Sequence, residues 1–251
     1  MGFIERRTLA YLLIAGALCA VVLFPAVYFL GLALAPPLPA PAQAPVPRLV
    51  AEAIWARANG GRATEITPIT PFSMARLATC VAIEDYKDTS EGDARRIAAC
   101  QEHLPALFGM EYLSRMHMRD ANLQPSFREG LGRLSTTIWL THAFSKADFL
   151  NTIAERGEVG AAFRGVEAAA HGYLGRPAAQ LSLAQAALIG GLVGDRRTDP
   201  WCQQDTARAI RDRILERMQI NGAISEAEFA AAVKAPLDLA DPPEGRPPCG
   251  L

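Results

Sequence analysis

Apolar positions along this chain form two kinds of pattern. Between residues 9 and 35 no charged side chain occurs, and a run longer than the roughly 20 apolar residues a hydrocarbon core demands predicts a transmembrane helix. Pro25 interrupts it, but proline within lipid at most kinks a helix. Beyond residue 48 apolar residues recur at helical rather than alternating spacing, as in the stripe Ile210, Ile214 and Met218. Three starts carry a hydroxyl followed three residues later by an acid or amide: Ser145 with Asp148, Ser182 with Gln185, and Ser225 with Glu228. In that arrangement each side chain satisfies the other's free backbone N–H. Asn221-Gly222 ends a helix that begins near Asp205. A helix over 48–59 is closed by Gly60-Gly61, and Thr70-Pro71 opens another running toward Asp85. A short strand over 64–69 is the one β element expected. The predicted fold class is mostly α.

Residues 36–47 read PPLPAPAQAPVP, which excludes helix and central strand and predicts an extended, semi-rigid linker. The expected organisation is a cytoplasmic N-terminus at 1–8, a transmembrane anchor at 9–35, the Pro-rich linker at 36–47 and a helical domain at 48–251. A cleaved signal peptide is the rival reading of the apolar run. Its apolar region is usually about 7 to 15 residues long, and the Ala-x-Ala candidates ending at Ala35 and Ala44 are each followed by proline. Arg6 and Arg7 precede the run and the next charge after it is Arg48. The positive-inside bias therefore leaves the N-terminus in the cytoplasm and the domain outside a plasma (inner) membrane, in the periplasm or its equivalent.

Charge and cysteine usage narrow the classes. The formal net charge is -1 with no basic run, which argues against a nucleic-acid partner. Cys19 falls in the apolar run, leaving Cys80, Cys100, Cys202 and Cys249 for an oxidising compartment. Four cysteines admit three pairings, or four free thiols. Local pairing, Cys80 with Cys100 and Cys202 with Cys249, is the expectation adopted here. No Cys-x-x-Cys or His-rich spacing points to a metal site.

From Phe163 the chain reads FRGVEAAAHGYLGRPAAQLSLAQAALIGGLVGDRRTDPW. This resembles the C-terminal half of the glycosyltransferase family 51 domain of monofunctional peptidoglycan transglycosylases and class A penicillin-binding proteins. Gly165, Glu167, Ala168, Ala169, Tyr173, Gly175, Leu181, Ala186, Ala187, Leu188 and Gly191 stand in register with that family's Tyr-Gly-x-Glu-Ala-Ala and Leu-x-x-x-Glu-Ala-Ala-Leu-Leu-Ala-Gly segments. The resemblance covers roughly residues 70–235 and is strongest from 145 onward. It implies a lysozyme-like helical domain acting on lipid II, the polyprenyl-pyrophosphate disaccharide-peptide from which glycan strands are built. Such chemistry needs a carboxylate base, cationic or divalent-metal help for the leaving pyrophosphate, and a site near the bilayer. No resident cofactor is called for. Lipid II or a glycan strand, the membrane and other cell-wall synthesis proteins are the implied partners.

The catalytic motifs are eroded. The family's first carboxylate follows an apolar helix, and here Val81-Ala82-Ile83 leads into Glu84-Asp85, the catalytic candidates. The Phe and His that should follow are Asp88 and Glu91. Nothing between 100 and 123 reproduces the donor segment Gly-Gly-Ser-Thr-Ile-Thr-Gln-Gln. Counting back from Ser145-Lys146 without a gap sets Arg133 in the slot of the family's second glutamate and Gly130 in that of its lysine, with Glu129 one helical turn away. Lys146, Arg156 and Glu167 keep places that the resemblance associates with substrate. No Ser-x-x-Lys occurs, so the penicillin-binding half has no counterpart. The expected function is a glycosyltransferase-like pseudoenzyme with reduced or lost catalysis, serving as scaffold or regulator. The alternative is an active divergent transferase with Glu84 as base.

Overall fold

The structure is a computed structural model that describes residues 22–58, 61–70, 104–246 and the positions 73, 76, 77, 79, 80 and 249. Residues 22–34 are helical and lead into the extended segment 36–47. The first domain helix, α1 (Arg48–Arg57), buries Val50, Ala53, Ile54, Trp55 and Ala56. Then come α2 (Leu107–Asp120), α3 (Phe127–Ala143) and α4 (Lys146–Arg156). A two-residue hairpin, β1 (Glu158–Val159) antiparallel to β2 (Phe163–Arg164), leads to α5 (Val166–Leu174) and a 3-10 turn (Ala178–Gln180). The chain closes with α6 (Leu183–Leu192), α7 (Gln204–Ile220) and α8 (Glu226–Lys234). Among the described residues the domain is mostly helical.

The centre is α6. Every residue from Ala184 to Leu192 is buried, as expected of a helix that is apolar all round. Its small residues admit neighbours at backbone distance. A methyl group on Gly190 would lie 2.4 Å from Ala53 Cβ on α1, and one on Gly191 would lie 2.7 Å from Ile210 on α7. Around this three-helix contact, Phe149 and Ile153 of α4, Met110 and Leu113 of α2 and Tyr173 of α5 fill the main core. Ile214, Leu215 and Met218 pack a second cluster with Ile224 and Ala232.

The three expected capping boxes all form, at the starts of α4, α6 and α8. A fourth hydroxyl, on Ser126, accepts from the Glu129 N–H at the start of α3. The helix expected near Asp205 runs over α7 and ends at Asn221, with Gly222 at φ +78° just beyond. Residues 64–69 form no strand. The Ile69 N–H donates instead to Thr141 Oγ1 at 3.0 Å, and its carbonyl lies 2.8 Å from His142 Nε2. These α3 side chains supply the partners a sheet would have given.

Segment 36–47 is extended and rests along α4, with Ala42 N–H donating to Thr152 Oγ1 and Val46 N–H to Asn151 Oδ1. Helical residues 22–34 meet α3 through small side chains: a methyl on Gly31 would lie 2.0 Å from Ser135 Oγ, and one on Gly132 would lie 3.4 Å from Ala35 Cα. Residues 9–21 of the expected anchor lie outside the described residues, among which no helix is long and apolar enough to cross a membrane. Cys202 and Cys249 are joined, with Cα atoms 5.4 Å apart, which is the local one of the pairings that the sequence left open. Cys80 is also disulfide-bonded. Its expected partner, Cys100, lies outside the described residues.

Candidate functional site

Glu84 and Asp85 lie outside the described residues, so the site is built from the helices that carry Glu129 and Arg133, the residues singled out by the gapless count. On α2, Glu111, Arg115 and Arg119 follow one another at four-residue steps and share a face. Glu129 and Arg133 stand one turn apart on α3, which packs against α2. Arg133 binds Glu111 through Nη1 and Glu129 through Nε, the latter at 3.2 Å. Glu111 is also paired with Arg115 at 2.6 Å. The Arg133 guanidinium is thus held by two carboxylates from two helices.

The ion pairs continue along the same face. Arg119 forks both carboxylate oxygens of Glu158, at 3.3 and 3.1 Å, and Arg196 reaches Glu158 at 3.1 Å. The Glu158 N–H donates to the Tyr112 hydroxyl at 3.0 Å, and burial raises the phenol above its ordinary value of 10.0. Asp120 pairs with Arg164 and lies 3.9 Å from Arg156. Six guanidinium groups (Arg115, Arg119, Arg133, Arg156, Arg164 and Arg196) therefore face four carboxylates (Glu111, Asp120, Glu129 and Glu158). Among the described residues of these ion pairs, positive charge is in excess.

Between the end of α2 and the start of α3 this face opens into a groove of about 600 Å³, lined by Arg115, Arg119, Asn122, Gln124, Glu129 and Arg133 among others. Asn122, at φ +56°, makes the turn that shapes its end. Chemically the groove offers guanidinium and amide donors and, among its described lining residues, one carboxylate, which is engaged by Arg133. Donors in this density suit oxyanions and sugar hydroxyls. They do not supply a free base. Among the described residues no group of three or more His, Cys, Asp or Glu side chains is arranged to hold a metal ion.

The substrate candidates do not gather in one place. Lys146 and Arg156 occupy the two ends of α4, about 15 Å apart at 1.5 Å per residue. Lys146 stands 4.4 Å over the Trp55 ring, while Arg156 joins the arginine face through Asp120. Glu167, in the first turn of α5, accepts the Ala178 N–H at 3.2 Å and pairs with His171 at 3.1 Å. Gln185, in the slot of a family glutamate, completes its capping box and donates to Asp238 at 3.1 Å. Sequence reasoning missed Glu111, Arg115, Arg119 and Glu158. The Glu111–Arg115 and Glu129–Arg133 spacings were visible as helix-face pairs, but nothing in the chain announces that Arg133 bridges two helices.

A sequence model of the transglycosylase family matches residues 115–219, the stretch that contains the groove lining and two of the three central helices, α6 and α7. Penicillin-binding protein 1A of Pseudomonas aeruginosa is 31% identical over 114 residues, covering 45% of this chain and 14% of that protein. Penicillin-binding protein 1C of Escherichia coli is 29% identical over 176 residues, covering 68% of this chain and 20% of that protein. A solved structure of penicillin-binding protein 1A from Haemophilus influenzae aligns with 54% of this chain and 17% of its own, at 23% identity and a TM-score of 0.36. The chain thus spans a fifth or less of the length of each of these relatives. Residues 115–219 thus carry a divergent match to the transglycosylase family, glycosyltransferase family 51, at low identity to these penicillin-binding proteins.

Proposed function

We propose that this protein is a membrane-anchored, extracytoplasmic glycosyltransferase-like protein that binds lipid II or a glycan strand during cell-wall synthesis, with catalysis reduced or lost. One observation carries the reading: Arg133, which the gapless count sets in the slot of the family's second carboxylate, is tied to Glu111 and Glu129. Transfer from a pyrophosphate donor needs a base for the attacking hydroxyl and positive charge at the leaving group. Among its described lining residues the α2–α3 groove supplies the second and offers no free carboxylate for the first. Losing one such carboxylate typically costs about 10² to 10⁴ in rate. The donors that remain are suited to grip a pyrophosphate without turning it over.

Placement supports a membrane-borne ligand. The helix that carries Glu129 and Arg133 also seats residues 22–34 through Gly132 and Ser135. The groove is therefore fixed close to the end of the apolar segment, where a polyprenyl chain would emerge from the bilayer. Polymerisation of lipid II by the purified full chain, measured beside lipid II binding, tests the proposal. Saturable binding without polymer is the expected result, and polymer at rates ordinary for the family would refute it.

A second reading rests on Glu84-Asp85, which retain the place of the family's first carboxylate after an apolar helix. On that reading the chain is an active divergent transferase with Glu84 as base. It requires polymerisation that Glu84→Gln abolishes.

A further inference from the structure

A second cavity, of about 400 Å³, lies on the other half of α2, between the end of α1, α4 and the residues that follow α6. Its walls are apolar at Ile54, Phe108 and Ile153, and two guanidinium groups enter it, Arg57 from α1 and Arg217 from α7. Arg57 donates through Nε to the Val193 carbonyl at 2.7 Å, which fixes one edge of its fork. Among the described residues Arg217 makes one long bond, 3.3 Å, to the Ala56 carbonyl. Neither forms an ion pair among the described residues.

That arrangement is electrostatically unfavourable as it stands. Burial lowers the pKa of both arginines, and each is pushed further down by neighbouring guanidinium groups, Arg213 acting on both. Asp195 draws Arg57 upward through space and Glu216 does the same for Arg217, yet neither is ion-paired with them, and the Asp195 oxygens are spent on the Arg197 and Thr198 N–H groups and the Thr198 hydroxyl. Partly buried charges are ordinarily paired, because desolvation without a partner is costly. Here the free edges of two forks converge on an apolar-walled space.

We infer that this cavity is a binding site for a small ligand that carries an oxyanion, phosphate or carboxylate, on a compact apolar body. The oxyanion would lie between Arg57 and Arg217, where guanidinium forks match its paired oxygens. The body would rest on Ile54, Phe108 and Ile153. Tyr112, which also lines the cavity, accepts the Glu158 N–H, and Glu158 holds Arg119 of the groove. The site is thus separate from the groove and one hydrogen bond removed from its network. The inference does not depend on lipid II being the ligand of the groove.

Calorimetric titration of the full chain in detergent with phenyl phosphate, benzoate and inorganic phosphate, at constant ionic strength, tests it. Saturable binding of phenyl phosphate or benzoate, tighter than inorganic phosphate by threefold or more, is expected, and the better of the two identifies the oxyanion. Arg217→Gln and Arg57→Gln should each weaken that binding at least tenfold, while Arg208→Gln, on the exposed face of α7, should leave it unchanged. Circular dichroism of each variant reports folding. Should Arg57→Gln unfold by losing its bond to Val193, Arg217→Gln alone decides. Absence of saturable binding by either aromatic probe, or binding that folded Arg217→Gln retains in full, would overturn the inference.

Discussion

Alanine at Gly190 and alanine at Gly130 should move stability in opposite directions. Both glycines lie inside helices, so alanine gains up to about 1 kcal/mol of helix propensity at either position. At Gly130, in the first turns of α3, an added methyl meets nothing within 4 Å, and the propensity gain should appear undiminished. At Gly190 the methyl would stand 2.4 Å from Ala53 Cβ and 3.0 Å from the Ala53 carbonyl carbon and the Ile54 nitrogen. Carbon atoms rest at about 3.5–4.0 Å, so α1 and α6 would have to separate by roughly 1 Å. Two of those contacts are backbone, and no rotamer change can relieve them. Overpacking costs about 1–3 kcal/mol, and contacts that no rotamer relieves belong to the upper half of that range, about 2–3 kcal/mol, leaving a net loss of about 1–2 kcal/mol after the propensity gain. For a domain of this size that is roughly 2–8 °C in Tm, against a rise of about 2–4 °C or less for Gly130→Ala. Thermal unfolding followed by far-ultraviolet circular dichroism reads both. Equal shifts, or a Gly190→Ala protein as stable as the parent, would refute the close packing of α1 on α6.

Reducing Cys202–Cys249, which closes 47 residues of separation, should destabilise the fold by about 4 kcal/mol in the chain-entropy estimate; urea unfolding of Cys249→Ser, with the other cysteines intact, checks this. Ser182→Ala removes the hydroxyl that caps α6 and should cost about 1 kcal/mol, read as a lower urea midpoint at unchanged slope. His117 carries the pH prediction. Burial, with Arg156 adding in the same direction, holds its pKa below the ordinary 6.5, so as pH falls the unfolded chain takes up the proton first. Its contribution to stability is complete above about 6.5 and is lost as pH falls through the folded pKa. The stability difference between the parent and His117→Gln should therefore shrink or reverse from pH 7.5 toward pH 5, and a flat difference would remove His117 from the account.

What the sequence disclosed follows from the range of the interactions involved. Ser145, Ser182 and Ser225 were legible because a capping box is complete within four residues, and Asn221-Gly222 because a helix stop is equally local. The α6 core helix was legible in its unbroken apolar and small residues, as was the family resemblance they carry. The fate of 64–69 was not, because the groups that satisfy Ile69 belong to Thr141 and His142, more than seventy positions away. Residues 36–47 are extended as composition required, but their attachment to Thr152 and Asn151 has no local signature. At the site, the gapless count drew attention to Arg133, while its clasp by Glu111 depends on how α2 meets α3. Arg57 and Arg217 went unremarked because the surrounding residues name no motif.

The central claim, that the groove grips its ligand without the second carboxylate needed to transfer it, is tested most directly by lipid II polymerisation with the purified full chain, Glu84→Gln and Arg133→Glu run together. The account predicts no detectable polymer from the parent or from Glu84→Gln, with saturable lipid II binding by the parent. Glycan chains formed by the parent at rates ordinary for the family, and abolished by Glu84→Gln, would contradict it.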